Sequence, residues 1–157
     1  MKYYDVASVS EEWYDFTETI KPVRVRAESI QALKKQSKQE GLILLEHPSP
    51  KIFRYAVEKS LVDAVLPNRG GGEDYAHHKR TLLNNVNLKL MNKNHISYAF
   101  TSKELMNHEG LERARVWGRM KYEARLCVKK TVPIIICTNA GEESELVSRH
   151  SLIGLGE

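Results

Sequence analysis

Apolar and polar positions along this chain follow two periods that take turns. Short compact runs read as strands: Tyr3 to Ser8, Val23-Arg-Val-Arg-Ala27 with its period-two alternation, Leu42-Ile-Leu-Leu-Glu46, Leu61 to Leu66, His95 to Phe100, and Val132 to Ala140. Between them the apolar residues recur every three or four positions, the spacing of one helix face. Ser29 is placed to cap a helix running toward Gly41, and Ser49-Pro50 opens another with a capping serine and proline in the first helical position. Ile52, Phe53, Ala56 and Val57 give that helix an inner face. Leu82, Leu83, Val86, Leu90 and Met91 predict a helix over 79–94, with Asn94 in the left-handed position after it. Thr101-Ser-Lys-Glu104 has the capping-box pattern of a helix start, and Gly110 breaks that helix at Glu109. A long helix then runs to Lys130, its stripe of Ala114, Trp117, Met120, Ala124 and Cys127 turned toward a core. Glu11 to Ile20 shows no clean period and predicts a brief helix or a loop. After Ala140 a polar loop leads to a short apolar tail, Leu152 to Leu155.

Strand, helix, strand, helix is the grammar of a parallel sheet, because parallel neighbours need a crossover connection. The prediction is an α/β fold in a single domain spanning 1–157, with the sheet open or closed into a barrel. Six strands in 157 residues fall short of the roughly 250 residues of a full eight-fold barrel, so any barrel is small or incomplete.

Composition narrows the function less than charge placement does. A 41% hydrophobic share with 28% charged residues is ordinary for a globular protein, and a net charge of +4 permits a nucleic-acid partner without requiring one. The base is concentrated in the long helix. From Arg113 to Lys130, Arg113, Arg115, Arg119, Lys121, Arg125, Lys129 and Lys130 stand against one acid, Glu123. Arg115 and Arg119 form one line at i,i+4, and Lys121, Arg125 and Lys129 another. A lysine-rich helix is also a common solvated face. The two cysteines, Cys127 and Cys137, lack metal or redox spacing and read as buried reduced thiols. The first residues have no apolar signal core, and no run approaches the roughly 20 apolar residues of a membrane helix. These features predict a soluble, cytoplasmic chain with no membrane partner.

Catalytic candidates are sparse. Ligands of parallel α/β folds collect at the carboxyl ends of the strands, here Ser8, Glu28, His47, Asn68, Arg69, Thr101, Thr138 and Asn139, but these form no recognisable catalytic set. His77-His78 beside Lys79-Arg80 reads as a solvated helix start, and neither an HxH pair nor HExxH occurs. Gly70 to Gly72 lie in a loop without phosphate-loop spacing. What remains is basic: Lys79-Arg80, Arg113 to Lys130, and Arg149-His150. Arginine grips phosphate as a planar fork, and nearby tyrosine stacks on bases.

Several stretches carry a family resemblance. Arg54-Tyr-Ala-Val-Glu58 with Val62-Asp-Ala-Val-Leu66 resembles "R-x-A-V-E … V-D-x-L". Leu83 to Asn94 resembles "L-N-H-V-L-A-K-L-A-x-x-N", and Gly110-Leu-Glu-Arg-Ala-Arg115 resembles "G-x-x-R-x-R/K". Lys130-Thr-Val-Pro133 with Thr138-Asn-Ala140 resembles "K-Y-x-V-P … T-S-x-A", Arg149 falls on the arginine of "R-S-P", and Tyr3-Tyr-Asp5 looks like the first strand. In order and spacing the set resembles ribonuclease P protein component 3, the archaeal relatives of the thirty-kilodalton subunit of the eukaryotic enzyme. The resemblance implies a TIM-like barrel of parallel strands with surrounding helices. It implies a non-catalytic subunit of the ribonucleoprotein that removes 5′ leaders from precursor tRNA. Catalysis there belongs to the RNA with its Mg2+, so the chain itself needs no cofactor. The implied partners are ribonuclease P RNA, protein component 2 and the other protein subunits, and precursor tRNA through the holoenzyme. By the match and the basic clusters, the RNA-binding candidates are Arg54, Lys79, Arg80, Arg113, Arg115, Arg119, Lys129, Lys130 and Arg149. Arg54 has a second reading as a structural ion-pair partner.

Asn85, Thr131 and His150-Ser151 depart from the pattern. The chain is shorter than such relatives, lacking a helix and strand after the first strand and a final helix. A barrel missing a unit exposes strand edges, which a partner or a second copy of the chain would cover. Two other functions are compatible with the sequence: a metal-dependent phosphoesterase of the polymerase-and-histidinol-phosphatase type, whose HxH would follow the first strand, and an RNA-binding scaffold outside ribonuclease P.

Overall fold

The computed structural model describes residues 4–7, 18–74 and 79–156. Tyr3, Ser8, His77, His78 and most of the Glu11–Ile20 segment therefore lie outside the described residues. Among the described residues seven strands occur in the order β1 (Tyr4–Val6), β2 (Glu18–Ile20), β3 (Val23–Val25), β4 (Ile43–Glu46), β5 (Ala64–Leu66), β6 (Ser97–Thr101) and β7 (Ile134–Cys137). All the pairings are parallel: β1 with β2, and β3-β4-β5-β6-β7 in sequence order. Only Lys21 and Pro22 separate β2 from β3, so one stretch of chain pairs with β1 at its start and with β4 at its end. Proline has no amide hydrogen, which accounts for the break in the ladder there. At the other side the Asn139 amide donates to the Val6 carbonyl at 3.1 Å, and Asp5 accepts from the Thr138 amide and hydroxyl at 2.8 and 2.5 Å. β1 meets β7 through these bonds rather than through a strand ladder. The result is a partial TIM-like barrel: the parallel α/β order follows the pattern of elements, and the barrel form is the one the family resemblance implies.

The strand alternation divides two cores. Val25, Leu45, Val65, Tyr98 and Phe100 point outward into the large core beneath the helices. Leu44, Ala64, Leu66 and Ala99 point inward, with Ile135, and fill a narrow lumen. Near its mouth Glu46 is buried and holds Arg24 at 2.5 Å and Arg26 at 2.7 Å.

The helices are α1 (Ile30–Gln36), α2 (Pro50–Glu58), α3 (Asn85–Lys93), α4 (Ser102–Met106), α5 (Gly110–Lys129) and α6 (Arg149–Gly156). Ser29, Ser49 and Thr101 cap as expected, accepting from the amides of Ala32, Ile52 and Glu104. The helix expected from Lys79 starts only at Asn85, because Asn84 takes the cap and accepts from the amides of Val86 and Asn87. The left-handed residue after it is His95, at φ 54°, rather than Asn94. The capping box at Thr101 is half formed, since the Glu104 carboxylate reaches across to Arg69 instead of back to the cap. Of the helix and strand expected to be lacking after β1, a strand, β2, is present, and the apolar tail forms a helix, α6, that buries Leu152.

Candidate nucleic-acid interface

The long helix α5 does not present the faces its periodicity predicts. Its buried residues are Val116, Arg119, Met120, Glu123 and Cys127, while Ala114 is exposed and Trp117 and Ala124 are half-buried. The inward face is thus rotated from the apolar stripe and carries two charges. Both are consumed by one ionic network. Arg69, just after β5, is 2% exposed; its Nε donates to Glu123 and its Nη1 to Glu104, both at 2.6 Å, and its Nη2 to the Ala99 carbonyl at 3.0 Å. The guanidinium lies 4.6 Å from the centroid of the Phe100 ring and 5.3 Å from that of Tyr98. Burial works against the charged form of Arg69, but the carboxylates of Glu123 and Glu104 outweigh it, so its pKa rises. Thr81 donates its hydroxyl to the other Glu123 oxygen at 2.6 Å.

Arg119 closes the loop that follows. It is 1% exposed and donates to the carbonyls of Arg69, Gly71 and Gly72 and to Asp74 at 2.8 Å. The expectation that Arg119 lies on a free cationic flank is therefore corrected: its donors are spent on the protein's own backbone. Gly71 and Gly72, at φ 68° and 67°, let the loop turn its carbonyls toward that guanidinium. The Gly71 amide donates to Glu112 at 2.7 Å and the Gly70 amide to Asn68 at 3.0 Å, so the loop satisfies itself and is no phosphate cradle. Asp74 in turn accepts from the Arg80 amide and the Lys79 ammonium. Desolvation raises its pKa, but the bonds from Arg80, Arg119 and Lys79 win and hold it well below the carboxylate range.

These contacts bring Lys79 and Arg80 against α5. The Lys79 ammonium lies beside Gly118, where a Cβ would sit 3.6 Å away, and Arg80 folds over Gly72. Arg115, one turn before Arg119, shares that flank and pairs with Glu112 at 3.7 Å. Lys79, Arg80 and Arg115 thus make one basic surface around the ordered loop. The other candidates do not join it. Arg113 leaves α5 on another side and donates to the His108 carbonyl. Lys129 and Lys130 sit at the far end of α5, where the Lys130 carbonyl accepts from Asn92. Arg149 begins α6. Arg54 bonds Asn87 at 3.1 Å and Glu58 at 3.4 Å, tying α2 to α3, which is its structural reading; Asn87 belongs to the second motif stretch, so two of the matched motifs meet.

Sequence reasoning missed Arg69, Asp74, Glu104 and Glu123 as a set. One signal existed: Glu123, alone among cations, stands three residues from Met120 and four from Cys127, on the buried face. Among the described residues no group of three or more His, Cys, Asp or Glu is placed to hold a metal ion, and no helix is long and apolar enough to cross a membrane. Both thiols are pushed up to about 12, chiefly by burial.

Fold and surface together define a partial α/β barrel of parallel strands with a basic, helix-borne exterior. No family model matches the chain. The chain is 25% identical over 155 residues to the curated protein named "Ribonuclease P protein component 3" from Methanocaldococcus jannaschii, covering 96% of this chain and 63% of that protein. It therefore spans less than two thirds of that relative's length. The resemblance carried by the motifs is thus matched along nearly the whole chain. Among solved structures, a chain in "cryo-EM structure of archaeal Ribonuclease P with mature tRNA" superposes with a TM-score of 0.70 at 23% identity, over 94% of this chain and 68% of that one. That likeness establishes the fold.

Proposed function

We propose that this chain is a non-catalytic protein subunit of ribonuclease P. In this reading it binds the enzyme's RNA and a partner protein subunit, and supports RNA-catalysed removal of 5′ leaders from precursor tRNA. The observation that carries the reading is the ordered likeness, over nearly the whole chain, to a protein named ribonuclease P component 3. The surface is consistent with it: Lys79, Arg80 and Arg115 stand together on a loop and helix held rigid from beneath, so their guanidinium and ammonium groups meet phosphates with little ordering cost. The two buried carboxylates of the strands near the barrel mouth, Asp5 and Glu46, are bonded to Thr138 and to Arg24 and Arg26. Mg2+ in this reading belongs to the RNA.

Reconstitution tests it. Ribonuclease P RNA and the other protein subunits from the same organism are assayed for precursor-tRNA cleavage with and without this chain, at limiting Mg2+. A raised rate or a lowered Mg2+ requirement is expected. A chain that neither joins the particle nor changes cleavage would refute the proposal.

A further inference from the structure

Both outward isoleucines of β7, Ile134 and Ile136, keep exposed surface. On the outward face of β3 to β6, Val25, Leu45, Val65 and Tyr98 have none and Phe100 is nearly buried, and only Val23 and Ile43, at the starts of β3 and β4, are likewise part-exposed. The helix that follows β7 is short, and only its end reaches the strand: a Cβ on Gly156 would sit 2.7 Å from Ile136 Cδ1. Between α5, α6 and β7 this leaves a cleft of about 470 Å³, floored by Phe100, Met120, Ile134 and Ile136. A second hollow, about 380 Å³, continues it toward Leu105 and Gly110, and Trp117 and Leu155 line both. Together they follow α5 from Gly110 to Val128, a length of about 27 Å at the helical rise. Val128, on the wall of the cleft, is 71% exposed and extends its apolar lining to the surface.

The rim has one sign. Arg113, Lys121 and Arg125 are exposed along it, and no Asp or Glu lines either hollow. The Lys121 ammonium lies 5.1 Å from the centroid of the Trp117 ring. With that aromatic occupied and the rest of the floor largely aliphatic, the cleft offers bases little to stack on.

We infer that this cleft is a docking groove for an amphipathic helix of a partner protein, one whose apolar stripe is flanked by carboxylates. The length suits about five turns of helix lying along α5, the floor takes its apolar residues, and the cationic rim pairs with its acids. The inference stands apart from the RNA-facing surface at Lys79, Arg80 and Arg115, so either can fail without the other.

The test uses the full chain with Trp13→Phe, which leaves Trp117 as the only tryptophan. The probe is a designed 18-residue helix with a leucine stripe flanked by glutamates. It is compared with the same stripe flanked by lysines, and with the glutamate peptide whose leucines are replaced by serine. Binding of the glutamate–leucine peptide should shift Trp117 emission, at least tenfold more tightly than either control. Lys121→Glu with Arg125→Glu, both at exposed positions, should exchange the preference between the two leucine peptides while circular dichroism stays unchanged. Equal affinity for the serine peptide would reduce the effect to surface charge and overturn the inference. So would self-association by sedimentation that Val128→Glu abolishes, which would make a second copy the occupant, or a Trp117 shift produced by duplex RNA and not by the peptide.

Discussion

Arg119 and Glu123 occupy adjacent turns of a helix otherwise rich in solvated cations, yet they are among its most buried side chains. Arg119 serves Asp74 and three loop carbonyls, and removing it leaves those acceptors without their donor, which costs about 1–3 kcal/mol. Arg119→Ala should therefore lower unfolding free energy by about that amount in urea titration, whereas Arg115→Ala, at a half-exposed position, should stay within about 0.5 kcal/mol of the parent. The same network sets an acid response. Asp74 is held below its ordinary value of about 3.9, so its stabilisation is complete above that pH and is lost as the pH falls through the lower folded-state value. Asp74→Asn should make stability less steep between about pH 4 and pH 2, read by thermal melts across that range. Cys127 and Cys137, with pKa values near 12, should remain unreactive toward a disulfide reagent at pH 8 and react only on unfolding.

At the scale of elements, local chemistry decides where helices begin and packing decides which way they face. Ser29, Ser49 and Thr101 start helices because a short side-chain oxygen there satisfies an amide the helix leaves unpaired. Asn84 does the same and so cuts α3 short. Asn84→Ala should cost about 0.5–2 kcal/mol, measured by chemical denaturation, since two amides lose their acceptor. α5 shows the limit of periodicity. Its stripe of Trp117 and Ala124 is legible in the sequence, but the face that enters the core is the one whose charges find Arg69, Thr81 and the loop carbonyls. Those partners lie far away in the chain, so no local window contains them.

For the whole molecule, the basic residues that look like one belt in sequence separate into distinct surfaces. Lys79, Arg80 and Arg115 share one; Arg113, Lys121 and Arg125 rim another; Arg54 is tied into the contact of α2 with α3. Under the proposed RNA binding, Arg115→Ala and Arg80→Ala should each lower affinity and make its dependence on salt shallower by about one unit in the log–log slope, because each removes one phosphate contact. Lys51→Ala, on the outside of α2, should leave the slope unchanged. Filter-binding measurements over a salt series would check both.

What the chain determines by itself is the alternation of strand and helix, the caps, the parallel connectivity and the ordered motifs of the ribonuclease P resemblance, because each rests on neighbours a few residues apart. What only the tertiary structure decides is the pairing of charges. It joins Arg69 to Glu104 and Glu123, sets Arg119 against the loop from Arg69 to Asp74, and gives β1 its footing on β7 through Asp5. It also leaves the outer face of β7 half bare. These are contacts between segments far apart along the chain, and a charged side chain carries no local mark of whether water or a distant partner will satisfy it.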